Sequence, residues 1–415
     1  MKKVLIFLPQ NPYPPHSGFH KRCLEVIDGF KELGCELTLA SSTGSTDEPW
    51  TASGVQSIKD GGIKAVEIYE TNFLDRQLAR GLRSFYWRTK RPTPLNSMID
   101  SPPGLSRWFA RLVKRVAPDL VVINYIFWSG LLDRDTRPAP FVKVMDTIDL
   151  VSLNLQMWQL VDKHIPPPPV DAGVIDDEIL EEDFFVRQGL AVRPEEYATY
   201  DKYDYTIAIS RQEAEAIKQH TVHTKVLHIP MTQAPCYISN RYDGPALLPT
   251  GPNPFNMQGY FYFIKRVLPL VRKRTPSFCL QVTGYCSERV CPEENILLSG
   301  FVPDLEAVYE SARFVVCPIF GGTGQQVKIV EAMARGVPVV ALRAVSNRSP
   351  IEHGVNGLVA DTADEFAEHV CRLWDDPELC RQLGQRARET IAAEFSPSHV
   401  SQALASMFEA RETRA

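Results

Sequence analysis

Two stretches of the sequence carry residue types whose spacing suits chemistry on a phosphorylated, sugar-like ligand. The richer one runs Phe314-Val-Val-Cys-Pro318, then Ile-Phe-Gly321-Gly-Thr-Gly324-Gln-Gln, and enters a helical stretch Val327–Arg335 that ends at Gly336. A glycine-rich turn lets a ligand come close to the main chain, and a helix start offers amides and the positive end of its dipole. The amides of Gln325 and Gln326, with Lys328 beside them, suit a diphosphate, and Glu331 suits a sugar's vicinal hydroxyls. Lys328 and Glu331 are three apart, so the same pair reads equally well as a surface ion pair worth ~0.2–0.5 kcal/mol. The second stretch is the loop Pro12–Arg22, which enters a helix; Gly18 lets the backbone approach a ligand, and His16, His20 and Arg22 either line a binding cleft or are ordinary loop and helix-surface residues. One Asp-x-Asp, Asp133-Arg-Asp135, has the form of a metal-held diphosphate site but stands in a polar loop about ten residues beyond its strand, and no metal is expected. No Gly-x4-Gly-Lys-Ser/Thr and no Gly-x-Gly-x-x-Gly after the first strand is present, which removes the main support for kinase and dinucleotide-dehydrogenase chemistry.

The elements that must hold these loops follow from the order of apolar runs. Short β-rich runs at Val4–Leu8, Glu36–Ser41, Ala65–Tyr69, Leu120–Ile123, Val142–Met145, Tyr205–Ile209 and Lys225–His228 alternate with helical stretches, among them Lys21–Leu33 and Gly104–Val116. Such alternation predicts a parallel sheet with helices on both faces, whose ligand crevice lies at the carboxyl ends of the strands. A loop-like stretch from Pro230 to Thr250 reads as an interdomain connection, after which strands near Gln281–Thr283, Phe314–Cys317 and Val337–Ala341 restart the pattern. Ser152–Tyr200, with Asp176-Asp177-Glu178 and Glu181-Glu182-Asp183, reads as a solvated acidic insertion. The end, Pro397–Ala410, has helical spacing of Val400, Leu404 and Phe408 and is expected to pack back on the body of the protein.

Composition bounds the rest. With 415 residues, two or three domains are expected at about 150 residues each. A hydrophobic fraction of 44%, a charged fraction of 23% and a mean hydropathy of -0.17 are those of an ordinary globular protein. The 45 Lys and Arg against 50 Asp and Glu give a net charge of -5, the wrong sign for a protein whose whole surface holds nucleic acid. No apolar run reaches the roughly 18 residues of a membrane span, and the first apolar run meets Pro9 and Gln10 without a cleavage site, so it reads as a buried strand. Nine scattered cysteines read as free thiols of a reducing cytoplasm.

The motif block after residue 246 resembles the C-terminal half of retaining, nucleotide-sugar-dependent glycosyltransferases of the GT-B fold. Its parts are Leu248–Gly259 with Gly251, Phe263–Val271, Gly284, Gly300–Leu305, Phe314–Ala334, Gly336–Val340 and Glu352–Val359, in the order of that family. Over about residues 246–396 the likeness is strong, and over the N-terminal half it is loose. It implies an α/β protein of two Rossmann-like doubly wound domains facing across a cleft, the N-terminal one over 1–229 with the insertion 152–200, the C-terminal one over 246–396, and the helix of 397–415 returning to the first. In that family two glutamates seven residues apart mark the donor site; the second is matched by Glu331, while Thr323 occupies the first position. The chain thereby resembles the subgroup with Gly-x-Gly-x-x-x-Lys-x-x-Glu, here Gly322, Gly324, Lys328 and Glu331. After the first C-domain strand, where other members carry a basic residue, this chain has Asn253 and Asn256.

The resemblance implies transfer of a sugar from a nucleoside diphosphate sugar to a glycan, lipid-linked or protein acceptor with retention of configuration, without a metal. Donor contacts are then expected from Gly18, Gly251, Asn253, Gly322, Thr323, Gly324, Gln325, Gln326, Lys328 and Glu331, and acceptor contacts from His16, His20 and Arg22. Asp146-Thr-Ile-Asp149 matches a segment where many relatives carry His-Asp at the transfer site, with Ile148 in place of the histidine. Asp146 and Asp149 are accordingly candidates to join Lys328 in catalysis, or else caps of the helix behind them. Thr323 and Ile148 keep open a catalytically silent partner subunit, and a nucleotide-sugar epimerase of the same architecture is the third alternative. The segment Arg76–Pro92, with its cluster of Arg and Lys around Phe85, Tyr86 and Trp87, reads either as a surface for an anionic membrane or as a cleft-lining helix with solvated arginines.

Overall fold

The computed structural model describes residues 1–15, 18–44, 50–132 and 139–412. They form two compact units: Met1–Ser152 with Val192–Met231 and Pro397–Ala415, and Leu153–Ala191 with Thr232–Ser396.

The first unit is built on seven parallel strands, β1 Lys3–Phe7, β2 Glu36–Ser42, β3 Ala65–Tyr69, β4 Leu120–Asn124, β5 Val142–Asp146, β6 Tyr205–Ala208 and β7 Lys225–His228. Their order is β3-β2-β1-β4-β5-β6-β7. A strand covered on both faces buries every side chain, which is why Val4, Leu5, Ile6 and Phe7 are all buried and the sequence reads as a continuous apolar run. The strand order reverses between β1 and β4, so the loops leaving those two strands diverge and open a crevice. Helix Gly18–Glu32 starts there, three residues earlier than the pattern of apolar residues suggested. Against it lies helix Pro397–Glu412, whose Val400, Leu404 and Met407 are buried. Gly29 permits this contact: a Cβ there would lie 2.8 Å from Leu404 Cδ1 and 3.0 Å from Val400 Cγ1.

The second unit has six parallel strands, β8 Ala246–Thr250, β9 Leu280–Gly284, β10 Ile296–Leu298, β11 Val315–Cys317, β12 Val339–Leu342 and β13 Leu358–Ala360, in the order β10-β9-β8-β11-β12-β13. Its reversal falls between β8 and β11, so the Gly251 loop and the Gly321–Gln326 turn leave adjacent strands at that point.

Two expectations need correction. Residues 246–250, read as the end of a loop, form the central strand β8. Pro249 misled the reading, since a proline rarely sits in a central strand. Leu247 N donates toward β11 and Ala246 N toward β9, so alternation turns the missing donor of Pro249 toward β11, where pairing is confined to Leu247 with Val315. Nor is the acidic insertion a solvated cap: Ile175, Ile179, Leu180, Phe184 and Phe185 are buried in the core of the second unit. Its acids are engaged there. Asp177 pairs with Lys265 at 2.9 Å, Glu181 with Arg266 at 2.5 Å, and Tyr262 Oη donates to Glu182 at 2.7 Å.

Candidate functional site

In the second unit the turn Gly321–Gln326 is shaped from several sides. Gly322 has φ +90°, a conformation other residues rarely adopt, and a Cβ on Gly321 would lie 2.2 Å from the ring of Phe255. The buried Arg348 latches the turn: its Nη2 donates to Gly321 O and its Nη1 to Gly324 O, both at 3.1 Å, while Nε donates to Ala344 O at 3.1 Å. Thr323 and Gln325 are buried within the turn. Helix Val327–Ala334 follows, and Gln326 at its start supplies no side-chain cap to the first-turn amides.

Lys328 reaches across to the neighbouring loop, where its Nζ donates to Asn256 Oδ1. Asn256 is itself fixed, its Nδ2 donating to Gly251 O at 3.1 Å and to Asn253 Oδ1 at 2.8 Å. Asn253 caps helix Pro254–Tyr262 by accepting from Asn256 N at 3.0 Å. Gly251, Asn253, Asn256 and Lys328 are therefore one hydrogen-bonded group spanning the two strands at the reversal point. Burial lowers the pKa of the Lys328 amine, opposed by the neighbouring Cys317, Cys286 and Glu331. The same burial pushes the Cys286 thiol up to about 12. A partly buried cation bound to a neutral amide gains from an incoming anion.

In the first unit, Arg22 and Asp146 meet and are both fully buried, Arg22 Nε and Nη2 donating to Asp146 Oδ2 and Oδ1 at 3.3 Å each. Asn124 Nδ2 adds a third bond to Asp146 Oδ2 at 3.2 Å. The pair joins the start of helix Gly18–Glu32 to the carboxyl ends of β4 and β5, and its place in the fold is that of a fastening. His20 is buried, with Nε2 2.9 Å from Gln10 Nε2. Gly18 begins its helix, Asp149 is half-buried, and His16, Asp133 and Asp135 lie outside the described residues. Two residues around Asp146 hold positive φ: Tyr125 at 65°, whose N donates to Asp146 O at 2.9 Å, and Ile148 at 62°. A β-branched side chain there costs about 1–2 kcal/mol, a strain of the kind concentrated at functional sites.

Glu213 went unnoticed in the sequence. Its buried carboxyl accepts from Ile209 N at 3.1 Å and touches Thr147 Oγ1. The Thr147 hydroxyl donates toward Glu213 Oε1 and also lies 2.9 Å from Ile207 O, so its one proton is shared between two acceptors. Burial pushes Glu213 up to about 8; the Thr147 contact opposes this, and Asp149 and Asp146 add to it. Arg348 was missed as well. It follows a short helix in Ser346-Asn347-Arg348-Ser349, and no periodicity or motif marks it.

Residues 245–376 match the family model described as Glycosyl transferases group 1. EpsD of Bacillus subtilis (strain 168) is 29% identical over 153 residues, 34% of this chain and 39% of EpsD. The D-inositol 3-phosphate glycosyltransferase of Corynebacterium kroppenstedtii is 32% identical over 108 residues, 26% of this chain and 24% of that protein. The chain thus spans well under half the length of these curated relatives. Whole-chain likeness comes from solved structures. Sucrose-phosphate synthase from Thermosynechococcus elongatus superposes with a TM-score of 0.64 at 15% identity over 100% of both chains. TarM does so at 0.63 and 12% identity over 98% of this chain and 99% of TarM. HepE of Anabaena, solved with UDP and glucose, gives 0.59 at 15% identity over 99% of this chain and 100% of HepE. At such identities the likeness concerns fold. Residues 245–376 are thus similar to the group 1 glycosyl transferases, and the two parallel sheets of the chain are those of the GT-B fold.

Proposed function

We propose that this chain is a retaining glycosyltransferase that takes its sugar from a nucleoside diphosphate sugar. The observation that carries the proposal is the partly buried Lys328, bound through Asn256 to the Gly251 loop and set beside the Gly321–Gln326 turn. In this reading the diphosphate lies against the first-turn amides and Lys328, and Glu331 takes the ribose hydroxyls. The bond between the sugar's anomeric carbon and the diphosphate oxygen breaks, its electron pair stays on the diphosphate, and fixed donors stabilise the growing charge. The acceptor oxygen bonds to the anomeric carbon, and its proton passes to the departing phosphate. Lys328 supplies the cation that a divalent metal would otherwise provide, so chelator leaves the initial rate intact.

The first unit takes the acceptor, with Arg22 and Asp146 positioning the loops around it. HepE has been solved with UDP-glucose, and a TarM variant with UDP, fondaparinux and α-GlcNAc-glycerol, which supports a nucleotide-sugar donor and a glycan-like acceptor as the classes to test first.

A panel of UDP, GDP, ADP and their sugars should raise the melting temperature for at least one nucleotide, by mass action on the folded state. No shift at millimolar concentration with any of them removes the donor site. Binding without nucleotide release would favour the silent partner subunit, for which Thr323 and the strained Ile148 speak. Retention is read from the anomeric configuration of the product.

A further inference from the structure

Helix Phe73–Thr89 leaves most of its surface in water, and Asp75 is its one fully buried residue. That residue fastens it: the carboxylate accepts from Gly104 N at 3.1 Å and Leu105 N at 3.2 Å, at the start of helix Pro103–Val116, and from Tyr69 Oη at 2.8 Å. Phe73, Arg76, Arg80, Arg83 and Trp87 then follow the helical repeat along one exposed stripe of about 21 Å. Trp87 is 81% exposed and Phe73 66%. Large apolar side chains gathered on one outward face mark a surface that something covers.

The charge of the same region is equally uneven. Residues 71–116 hold ten Lys and Arg against two Asp, whereas the remainder of the chain holds 35 against 48. Of the two acids, Asp75 is bound to backbone amides, and Asp100 lies in the field of Arg83. On the adjoining helix Arg107, Arg111 and Lys114 are exposed, and Arg115 pairs with Glu67 at 2.8 Å.

We propose that this face of the first unit docks on an anionic lipid bilayer. Helix Phe73–Thr89 lies in the interfacial plane, with Trp87 and Phe73 at the boundary between headgroups and acyl chains. Arg76, Arg80 and Arg83 engage lipid phosphates while their aliphatic stems cover apolar surface. A nucleic acid would satisfy the arginines and leave the apolar side chains wet; a bilayer satisfies both. The inference stands independently of the donor site, because it uses none of its residues.

The test is sedimentation of the full chain with vesicles of phosphatidylcholine alone or of phosphatidylcholine with phosphatidylglycerol. The chain should sediment with the anionic vesicles only and be released by salt. Each of Arg76→Ala, Arg80→Ala and Arg83→Ala should weaken binding about fivefold. Trp87→Ala should weaken it severalfold and abolish the quenching of chain fluorescence by brominated lipid. All four side chains are exposed, so the variants should keep the wild-type melting temperature. Absence of vesicle binding by the wild-type chain, or equal binding to neutral vesicles, overturns the proposal. So does a Trp87→Ala chain that binds anionic vesicles like wild type, since that is general polyanion binding.

Discussion

Lys328 and Glu331 share a helix face, yet the account gives them different work. Charge on the leaving diphosphate grows toward the transition state, whereas the ribose is unchanged. Lys328→Ala should therefore lower kcat far more than donor affinity, by about 2–4 kcal/mol or roughly 30- to 1000-fold. Glu331→Ala should chiefly raise the donor KM. Wild-type kinetics in both variants would return the pair to an ordinary surface interaction. Glu213 gives a second residue-scale expectation. The unfolded chain releases this proton near 4.5 and the folded chain near 8, so stability falls as pH climbs between those values and levels off above. His228 runs the other way: burial, aided by Arg211 and Arg22, holds it at about 4, so it costs stability as pH drops below 6.5. Between pH 6.5 and 8 Glu213 contributes a slope of up to ~1.4 kcal/mol per pH unit. Glutamine keeps an amide oxygen that can accept from Ile209 N or Thr147 and carries no titrating proton, so Glu213→Gln should flatten the pH series in urea unfolding; an unchanged slope would show that the carboxyl is ionised in the fold. Lys328 and Glu331 were visible because they stand in a motif of fixed spacing. Glu213 was hidden because its side-chain partner Thr147 is 66 residues away and nothing local announces a buried acid.

At the level of elements, the Gly321–Gln326 turn depends on a residue from outside it. Three carbonyls, Gly321 O, Gly324 O and Ala344 O, accept from Arg348. Arg348→Ala leaves them without that donor and should cost about 1–3 kcal/mol in stability, read by thermal melting. Because the turn is then loosened beside the donor site, the donor KM should rise while kcat changes little. Arg348→Lys lacks the planar fork and should recover only part of both losses. A variant with wild-type KM would separate the latch from the site. The strands of the first sheet were legible because fully covered parallel strands are apolar throughout, from Val4 to Phe7 and from Leu120 to Ile123. Element ends and exceptions were less so. Pro249 disguised β8, and β10 and β13, at three residues each, fall below what an apolar run can announce. In the insertion, acids stand between the apolar side chains that seat it, so charge hid Ile179, Leu180 and Phe184.

For the whole molecule, two parallel sheets with a reversal point each provide two ligand crevices, and the residues with the clearest chemistry stand at the second. The family match lies over 245–376 in the same unit, so the donor side is the better defined half of the proposed reaction. Acceptor recognition rests on the first unit, where Arg22 and Asp146 are sequestered as a buried pair and His16 is outside the described residues. The measurement that bears most directly on the account is hydrogen–deuterium exchange of the full chain with and without the nucleotide that stabilises it. Protection should concentrate in 250–256 and 321–331, the Gly251 loop with Asn256 and the turn leading to Lys328 and Glu331. Protection confined to the first unit, or exchange in both segments unchanged by a saturating nucleotide, would contradict the placement of the donor.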